Sequence, residues 1–322
     1  MNDRYLLTPR YEGANAIYLD LLIALSPVVA WSVYLYGIRP ITVIVISALA
    51  LALTDTALGF IYKKRLVTDL SSVTTGTVIA LALPASAPLW LPAVAGLIGG
   101  VIKSAFGVKK NPVSPPAAAI VICHLAFPKL LSAIPEGGKW LDGFSVATDF
   151  TAAPKSSLDT VLSGPIPESN VWAEFFGMRS GVIGEASAFL LICGFIYLCA
   201  RRISRPSLAL SYLLTVGVAT YIKPTLVAAT DFVAIRGSLF NIFGSTTLLC
   251  AVYFASDLPS APKSQRSAIL GGVAGGIVTV VVRYTLGAPL SAPVGILVMN
   301  LVGMLSDRFI PVSPFGGTVK NS

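Results

Sequence analysis

The chain has 322 residues, of which 55% are hydrophobic and 12% charged, with a mean hydropathy of +0.79. That balance excludes a soluble two-domain protein of this length and leaves an integral membrane protein. The net charge of +8, from 23 Lys+Arg against 15 Asp+Glu, sits in short clusters between apolar runs, so it carries topology information and is no nucleic-acid footprint.

In chain order, Met1–Asn15 carries Asp3, Arg4, Arg10 and Glu12, and no small-residue cleavage site closes the apolar run that follows. A cleaved signal peptide is therefore not expected. With roughly 17–25 apolar residues per spanning helix, segments fall at about 17–37, 41–62, 71–88, 89–107, 115–132, 181–200, 206–222, 239–256, 268–286 and 292–309, which makes ten. With the N-terminus inside, the inner intervals receive Lys63, Lys64, Arg65, Lys109, Lys110, Arg201, Arg202, Arg205, Lys263, Arg266, Arg308 and Lys320. The outer intervals receive Arg39, Lys129, Lys139, Lys155, Arg179, Lys223, Arg236 and Arg283, mostly singly. This asymmetry favours cytoplasmic termini and puts the 133–180 interval outside the cytoplasm.

Two stretches of the first half have echoes in the second. Leu83-Pro84-Ala85-Ser86-Ala87-Pro88 is echoed by Leu258-Pro259-Ser260-Ala261-Pro262, and Asn111-Pro112-Val113-Ser114-Pro115 by Ala288-Pro289-Leu290-Ser291-Ala292. Pro84 and Pro259 lie 175 residues apart, Pro112 and Pro289 177. A five-segment unit repeated once is inverted, because five is odd. The expected fold is thus all-α: about ten transmembrane helices in two inverted five-helix repeats, residues 1–132 and 181–322, separated by an extracytoplasmic loop, 133–180. Pro-broken backbone at membrane depth is tolerated where it lines a cavity or is buried in protein, which points to internal sites. The hydroxyls of Thr74-Thr75-Gly76-Thr77 and Gly244-Ser245-Thr246-Thr247 either line such sites or bond the preceding turn.

Few ionisable groups fall inside the segments: Asp20, Asp55, Lys103, Glu185, Asp257, Arg283 and Asp307. Most stand close enough to an end to be solvated or to snorkel. Lys103 and Glu185 are the pair of interest, as pathway or ligand groups or as snorkelling ends. Cys123, Cys193, Cys199 and Cys250 all lie in apolar runs without CxxC spacing, which fits small core residues better than metal ligands. His124, the only histidine, is either an interior hydrogen-bonded residue or a proton relay.

The one long polar interval contains Asp142-Gly143-Phe144-Ser145-Val146-Ala147-Thr148, flanked by Gly137-Gly138 and Pro154, and reads as an exposed turn ending on a hydroxyl. This heptapeptide resembles the D-G-x-S-x-A-T flavinylation motif of the RnfD/NqrB family of membrane oxidoreductase subunits. Other stretches agree in order and spacing. Thr75-Gly76 with Leu81-Ala82-Leu83-Pro84 and Ala87-Pro88-Leu89-Trp90 is similar to the family's T-G-L-L-L-A-L-x-L-P-P-x-A-P-W-W, and Lys103, Gly107 and Asn111-Pro112 to its K-x-x-x-G-G-x-G-x-N-P. Ile183-Gly184-Glu185-Ala186-Ser187 resembles S-I-G-E-T-S, and Val298-Met299-Asn300 before Asp307-Arg308 its L-L-M-N…I-D-R ending. Asp149 in place of a common Pro, Ser114 in place of Asn, and Ser256-Asp257-Leu258-Pro259 in place of T-D-P-V-T depart from the pattern.

The resemblance implies FMN joined through its phosphate to Thr148 by a dedicated flavin transferase acting outside the cytoplasm. The small residues Gly143, Ser145 and Ala147 around Asp142 and Thr148 keep that hydroxyl open. It further implies a second, non-covalent flavin, riboflavin, with Thr75, Gly76, Lys103, Asn111 and Glu185 as candidate pocket residues. The chain would be one subunit of the Rnf ferredoxin:NAD⁺ oxidoreductase complex in a prokaryotic cytoplasmic membrane. It would move Na⁺ or H⁺ alongside electrons and rely on iron–sulfur, NADH-binding and other flavin-bearing subunits, since no nucleotide fingerprint or cluster motif stands in this sequence. Its length is nearer the RnfD branch than the quinone-reducing one. Two other readings remain open: a flavin-free small-solute channel, and a quinone-reducing relative.

Overall fold

The computed structural model describes residues 14–61, 70–106, 113–131, 171–177, 181–185, 187–226, 231–243, 246–255, 261–262 and 264–309, and among these the regular elements are all helical, without strands. The first half comprises α1 (Ala14–Tyr36), α2 (Arg39–Ile61), α3 (Leu70–Leu81), α4 (Trp90–Phe106), α5 (Pro115–Ala126) and the short α6 (Pro128–Leu131). After α7 (Val171–Phe176) and a 3₁₀ turn (Ile183–Glu185) come α8 (Ala188–Ala200), α9 (Pro206–Leu226) and α10 (Asp231–Phe243). One turn, α11 (Thr247–Leu249), then widens into a π-helix (Cys250–Phe254) ahead of α12 (Gln265–Thr285) and α13 (Ala288–Phe309).

At 1.5 Å per residue the 23-residue α1 and α2 are each about 34 Å long, enough to cross a hydrocarbon core of about 30 Å. Four helices, α1, α2, α12 and α13, are long and apolar enough to span, and α10 with the 247–254 helix is an apolar pair bent by 58°, a broken span or a re-entrant loop. The protein is a multi-pass membrane protein. Five other apolar helices, within α3, α4, α5, α8 and α9, are shorter.

Three expected segments differ in a physically informative way. The segment at 71–88 is helical only to Leu81, because Pro84 and Pro88 bring no N–H to the ladder and push their predecessors out of the helical region. The segment at 181–200 becomes an α-helix only at Ala188, where Ser187 caps it by accepting from the Leu190 N–H at 3.4 Å. The segment at 239–256 divides into α10 and the 247–254 helix.

These interruptions meet in the core. Ile183 N–H donates to Leu83 O at 3.1 Å, tying the break after α3 to the 3₁₀ turn before α8. Gly184 is required there: a β-carbon would come 2.8 Å from Leu81 O and 2.9 Å from Leu249 Cδ2.

Buried arginines supply donors to both ends of this region. Arg39, 1% exposed, donates to Ala85 O (Nε, 3.3 Å) and Ala87 O (Nη2, 2.8 Å). Arg283, also 1% exposed, donates to Ser291 Oγ, to Asn241 O and Oδ1, and to Thr247 Oγ1 at 2.5–3.2 Å. Charge counting along the sequence assigns both to the outer face as solvated or snorkelling groups. They lie inside because a broken helix leaves carbonyls without partners, and a guanidinium offers five donors to satisfy them.

Two helix pairs are built alike. Gly96 and Gly100 of α4 face α2, and Gly272 and Gly276 of α12 face α9. A β-carbon on Gly100 would lie 2.7 Å from Thr54 Cβ and 3.2 Å from Leu51 O; on Gly276 it would lie 2.7 Å from Thr215 Cβ and 3.1 Å from Tyr212 O. This is small-xxx-small packing, in which glycines let backbones approach and dispersion replaces the missing hydrophobic drive between lipid-embedded helices.

Candidate functional site

Polar groups gather at two places inside the bundle. At one end of α2, α3 and α4, Lys103 Nζ donates to Asp55 Oδ2 at 2.9 Å and to Ser72 Oγ at 2.8 Å. Ser72 Oγ donates in turn to Asp55 Oδ2 at 2.6 Å, and Ser104 Oγ to Asp55 Oδ1 at 3.0 Å. Three helices are thus joined through one carboxylate. The Lys103 side chain is only 13% exposed, so its charge is neutralised locally instead of being carried to water. Thr75 stands one turn beyond Ser72 on the same face of α3, with a half-buried side chain.

The second place is the meeting point of the interruptions. Glu185, 5% exposed at the end of the 3₁₀ turn, is electrostatically coupled to Arg283 and Cys250. Thr247 Oγ1, besides accepting from Arg283, donates to Asn241 O at 3.3 Å, and Tyr212 and Thr279 hydroxyls bond at 2.8 Å nearby on α9 and α12. Buried polar groups so connected are held in one arrangement.

The expected site residues divide between these places. Lys103 and Thr75 belong to the first, Glu185 to the second, so Lys103 and Glu185 do not form a pair. Gly76 is accounted for by packing: a β-carbon there would lie 2.5 Å from Ala48 Cα, and its carbonyl accepts from Ser47 Oγ at 3.0 Å. Thr74 and Thr77 bond the preceding turn, to Leu70 O and Val73 O, each at 2.9 Å. Asp142, Gly143, Ser145, Ala147, Thr148 and Asn111 lie outside the described residues. His124 bonds its own helix through Nδ1 and Ile120 O at 3.1 Å. Cys123 and Cys250 are buried, whereas Cys193 is exposed at the surface of α8. No group of three or more potential metal-ligating side chains occurs among the described residues.

Sequence reasoning missed Asp55 as the partner of Lys103 and Arg39 as an interior group; Arg283 was placed inside a segment but also counted among the outer charges. The available signal for Asp55 was depth: it and Lys103 stand near the same end of the second and fourth segments with opposite charge. Asn300 stands out for the opposite reason. It is fully buried on α13, and both amide atoms lack a hydrogen-bond partner, as does Ser114 Oγ at the start of α5. A buried unpaired amide costs about 1–3 kcal/mol.

For a flavin, the fit is partial. Lys103 uses two of its three N–H bonds on Asp55 and Ser72, which leaves one donor, and Thr75 adds a hydroxyl on the same side. Among the described residues the first cluster therefore offers such a group one ammonium donor and one hydroxyl.

The family model described as NQR2, RnfD, RnfE matches residues 10–316. The chain belongs to the NQR2, RnfD, RnfE family. Among relatives in it, the chain is 26% identical to the D-subunit of the Na⁺-translocating ferredoxin:NAD⁺ oxidoreductase complex of Acetobacterium woodii, over 95% of this chain and 92% of that one. It is 24% identical to the D-subunit of the proton-translocating ferredoxin:NAD⁺ oxidoreductase complex of Clostridium ljungdahlii, with the same coverage. With the D-subunit of the ion-translocating oxidoreductase complex of Stutzerimonas stutzeri it shares 27% identity over 95% of this chain and 93% of that one. These family members match in length as well as sequence, so the likeness extends over both polar clusters.

Proposed function

We propose that the protein is the D-subunit of a membrane-bound, ion-translocating ferredoxin:NAD⁺ oxidoreductase complex. The observation that carries this reading is the heptapeptide Asp142–Thr148, in a chain that the family model covers from residue 10 to 316. Thr148 holds FMN through a phosphoester made by a flavin transferase, and Thr75 and Lys103, with Asn111 and Glu185 as further candidates, hold a non-covalent riboflavin. Bound flavin supplies one- and two-electron transfer, which no side chain here provides.

What the chain itself contributes is placement and charge. Gly143, Ser145 and Ala147 leave the Thr148 hydroxyl accessible. Asp55 fixes the position of the Lys103 ammonium and balances its charge, and the ammonium's remaining N–H is a preset donor for negative charge arriving beside it in a low-dielectric bundle. Arg39 and Arg283 keep the helix breaks closed and exclude water from the core.

We read the chain as two inverted five-helix repeats, 1–132 and 181–322, around an extracytoplasmic 133–180 loop, with both termini cytoplasmic. Support comes from the glycine contacts: Leu51 and Thr54 are each 161 residues before Tyr212 and Thr215, and Gly96 and Gly100 each 176 before Gly272 and Gly276. Relatives of nearly equal identity are named for Na⁺ and for protons, so the coupled cation is Na⁺ or H⁺. Iron–sulfur, NADH-binding and further flavin-bearing subunits complete the assembly. The test is ferredoxin-dependent NAD⁺ reduction by the purified complex in sealed vesicles. Activity with ion uptake in the wild type, and its loss in Thr148→Ala at unchanged subunit composition, supports the reading; a complex that turns over equally with Thr148→Ala overturns it.

A further inference from the structure

At the end of the bundle where α8 turns into α9, three elements are stitched together. Arg205 Nη1 donates to Pro262 O, and Ser264 N–H donates to Asp307 Oδ1 at 3.2 Å. Among the described carboxylates at this end, Asp20 binds Arg201 at 2.9 Å and Tyr197 at 2.7 Å, and Asp307 accepts from the Ser264 N–H and lies within electrostatic reach of Arg205. Arg202, Arg266 and Arg308 stand three, two and one residues from these stitched positions. All three are exposed, and among the described residues none has a carboxylate partner.

Arg202 carries a second signal. It occupies the position just past the end of α8 with φ +60°, while Ile203 N–H bonds Leu198 O at 2.9 Å and Arg202 N–H bonds Cys199 O at 3.0 Å. This is the Schellman arrangement, whose left-handed residue is glycine by preference because a β-carbon is disfavoured there. A non-glycine residue held in that conformation points to a use for its side chain.

The apolar surface beside these arginines sets the ligand class. One turn into the membrane from Arg266 lie the exposed Ile269 (42%) and Leu270 (51%), and one turn in from Arg308 lies Leu305 (42%), with Phe309 83% exposed alongside. Guanidinium groups at the helix ends followed by lipid-facing aliphatic side chains match a phosphate headgroup followed by acyl chains.

We propose that Arg202, Arg266 and Arg308 form a binding site for the phosphate headgroup of an anionic glycerophospholipid, whose chains lie along α12 and α13. The site joins the α8–α9 turn to the α12–α13 pair from outside.

The test uses the full chain in its complex, in dodecyl maltoside, titrated with dioleoyl phosphatidylglycerol or dioleoyl phosphatidylcholine while unfolding temperature is followed by tryptophan fluorescence. The proposal expects phosphatidylglycerol to raise the unfolding temperature at a concentration on the order of a hundredfold lower than phosphatidylcholine, at a few-fold per basic side chain. The triple variant Arg202→Gln, Arg266→Gln, Arg308→Gln loses the preference. Arg202→Gly relieves the left-handed strain, so it is at least as stable as wild type without lipid, yet its preference falls by about fivefold; this arm stands even if the triple variant does not fold. Equal response to the two lipids, an undiminished preference in either variant, or equal competition by soluble glycerol phosphate overturns the proposal.

Discussion

Arg283 Nη1 lies 3.0 Å from Asn241 Oδ1 and 3.1 Å from Asn241 O, so a single guanidinium nitrogen closes the end of α10 where that span is broken. The arginine holds the break by donating to oxygens on three separate helical segments. Replacing it by methionine removes the guanidinium donors shared by the Asn241 side chain and carbonyl, the Thr247 hydroxyl and the Ser291 hydroxyl in a buried interior. A loss of about 3 kcal/mol or more is expected, with Arg283→Lys intermediate because one ammonium cannot reach three helices at once. Unfolding in detergent, followed by circular dichroism, measures it.

The Lys103–Asp55 pair behaves differently, because Asp55 is 31% exposed and partly screened by solvent. Lys103→Met and Asp55→Asn should each destabilise, and the double variant by less than their sum. The coupling energy is about 1 kcal/mol, the scale of a partly solvated pair. The same double variant should also lower turnover of the complex, since it removes the preset charge; stability and turnover measured side by side separate the two roles.

The glycine contacts predict equal behaviour at distant positions. Gly100→Ala and Gly276→Ala each place a β-carbon 2.7 Å from a threonine Cβ, so each should cost about 1–3 kcal/mol, and the two losses should agree more closely with each other than with an alanine at an open glycine. Thermal unfolding of the two single variants checks this.

How much of this was legible in the sequence depends on what hydropathy can see. The runs that became α1, α2, α12 and α13 are long and predominantly apolar, and the segments placed there, 17–37, 41–62, 268–286 and 292–309, lie within a few residues of the helices that form. The stop after Leu81 was written in Pro84 and Pro88. The late start of α8 was not, because Val182-Ile183-Gly184 is as apolar as a helix would be, and only its hydrogen bond to Leu83 O makes it a turn. Arg39 and Arg283 fall among the outer charges because charge counting treats every basic residue as solvated. The Asp55–Lys103 contact depends on which helices are neighbours, information that a single sequence does not carry locally. Of the candidate site, Lys103 and Glu185 were legible as charges inside apolar runs, but that they are largely buried and stand in two separate clusters depends on how the broken helices pack.

Asn300 offers a prediction of opposite sign. Its counterpart by the 177-residue spacing of Ser114 and Ser291 is Cys123, a buried apolar residue at the equivalent place on α5. Asn300→Cys should therefore raise stability by about 1 kcal/mol, having removed an unpaired amide without changing volume much, while lowering turnover if the amide serves a bound group. Unfolding temperature and ferredoxin-dependent NAD⁺ reduction are the two readings.

The account rests most directly on Thr148, and denaturing gel electrophoresis with in-gel fluorescence addresses it without other assumptions. Wild-type protein produced together with a competent flavin transferase should show a flavin-fluorescent band that survives denaturation, and Thr148→Ala and Thr148→Ser should both be dark. A dark wild-type band under those conditions, or a fluorescent Thr148→Ala band, would contradict it.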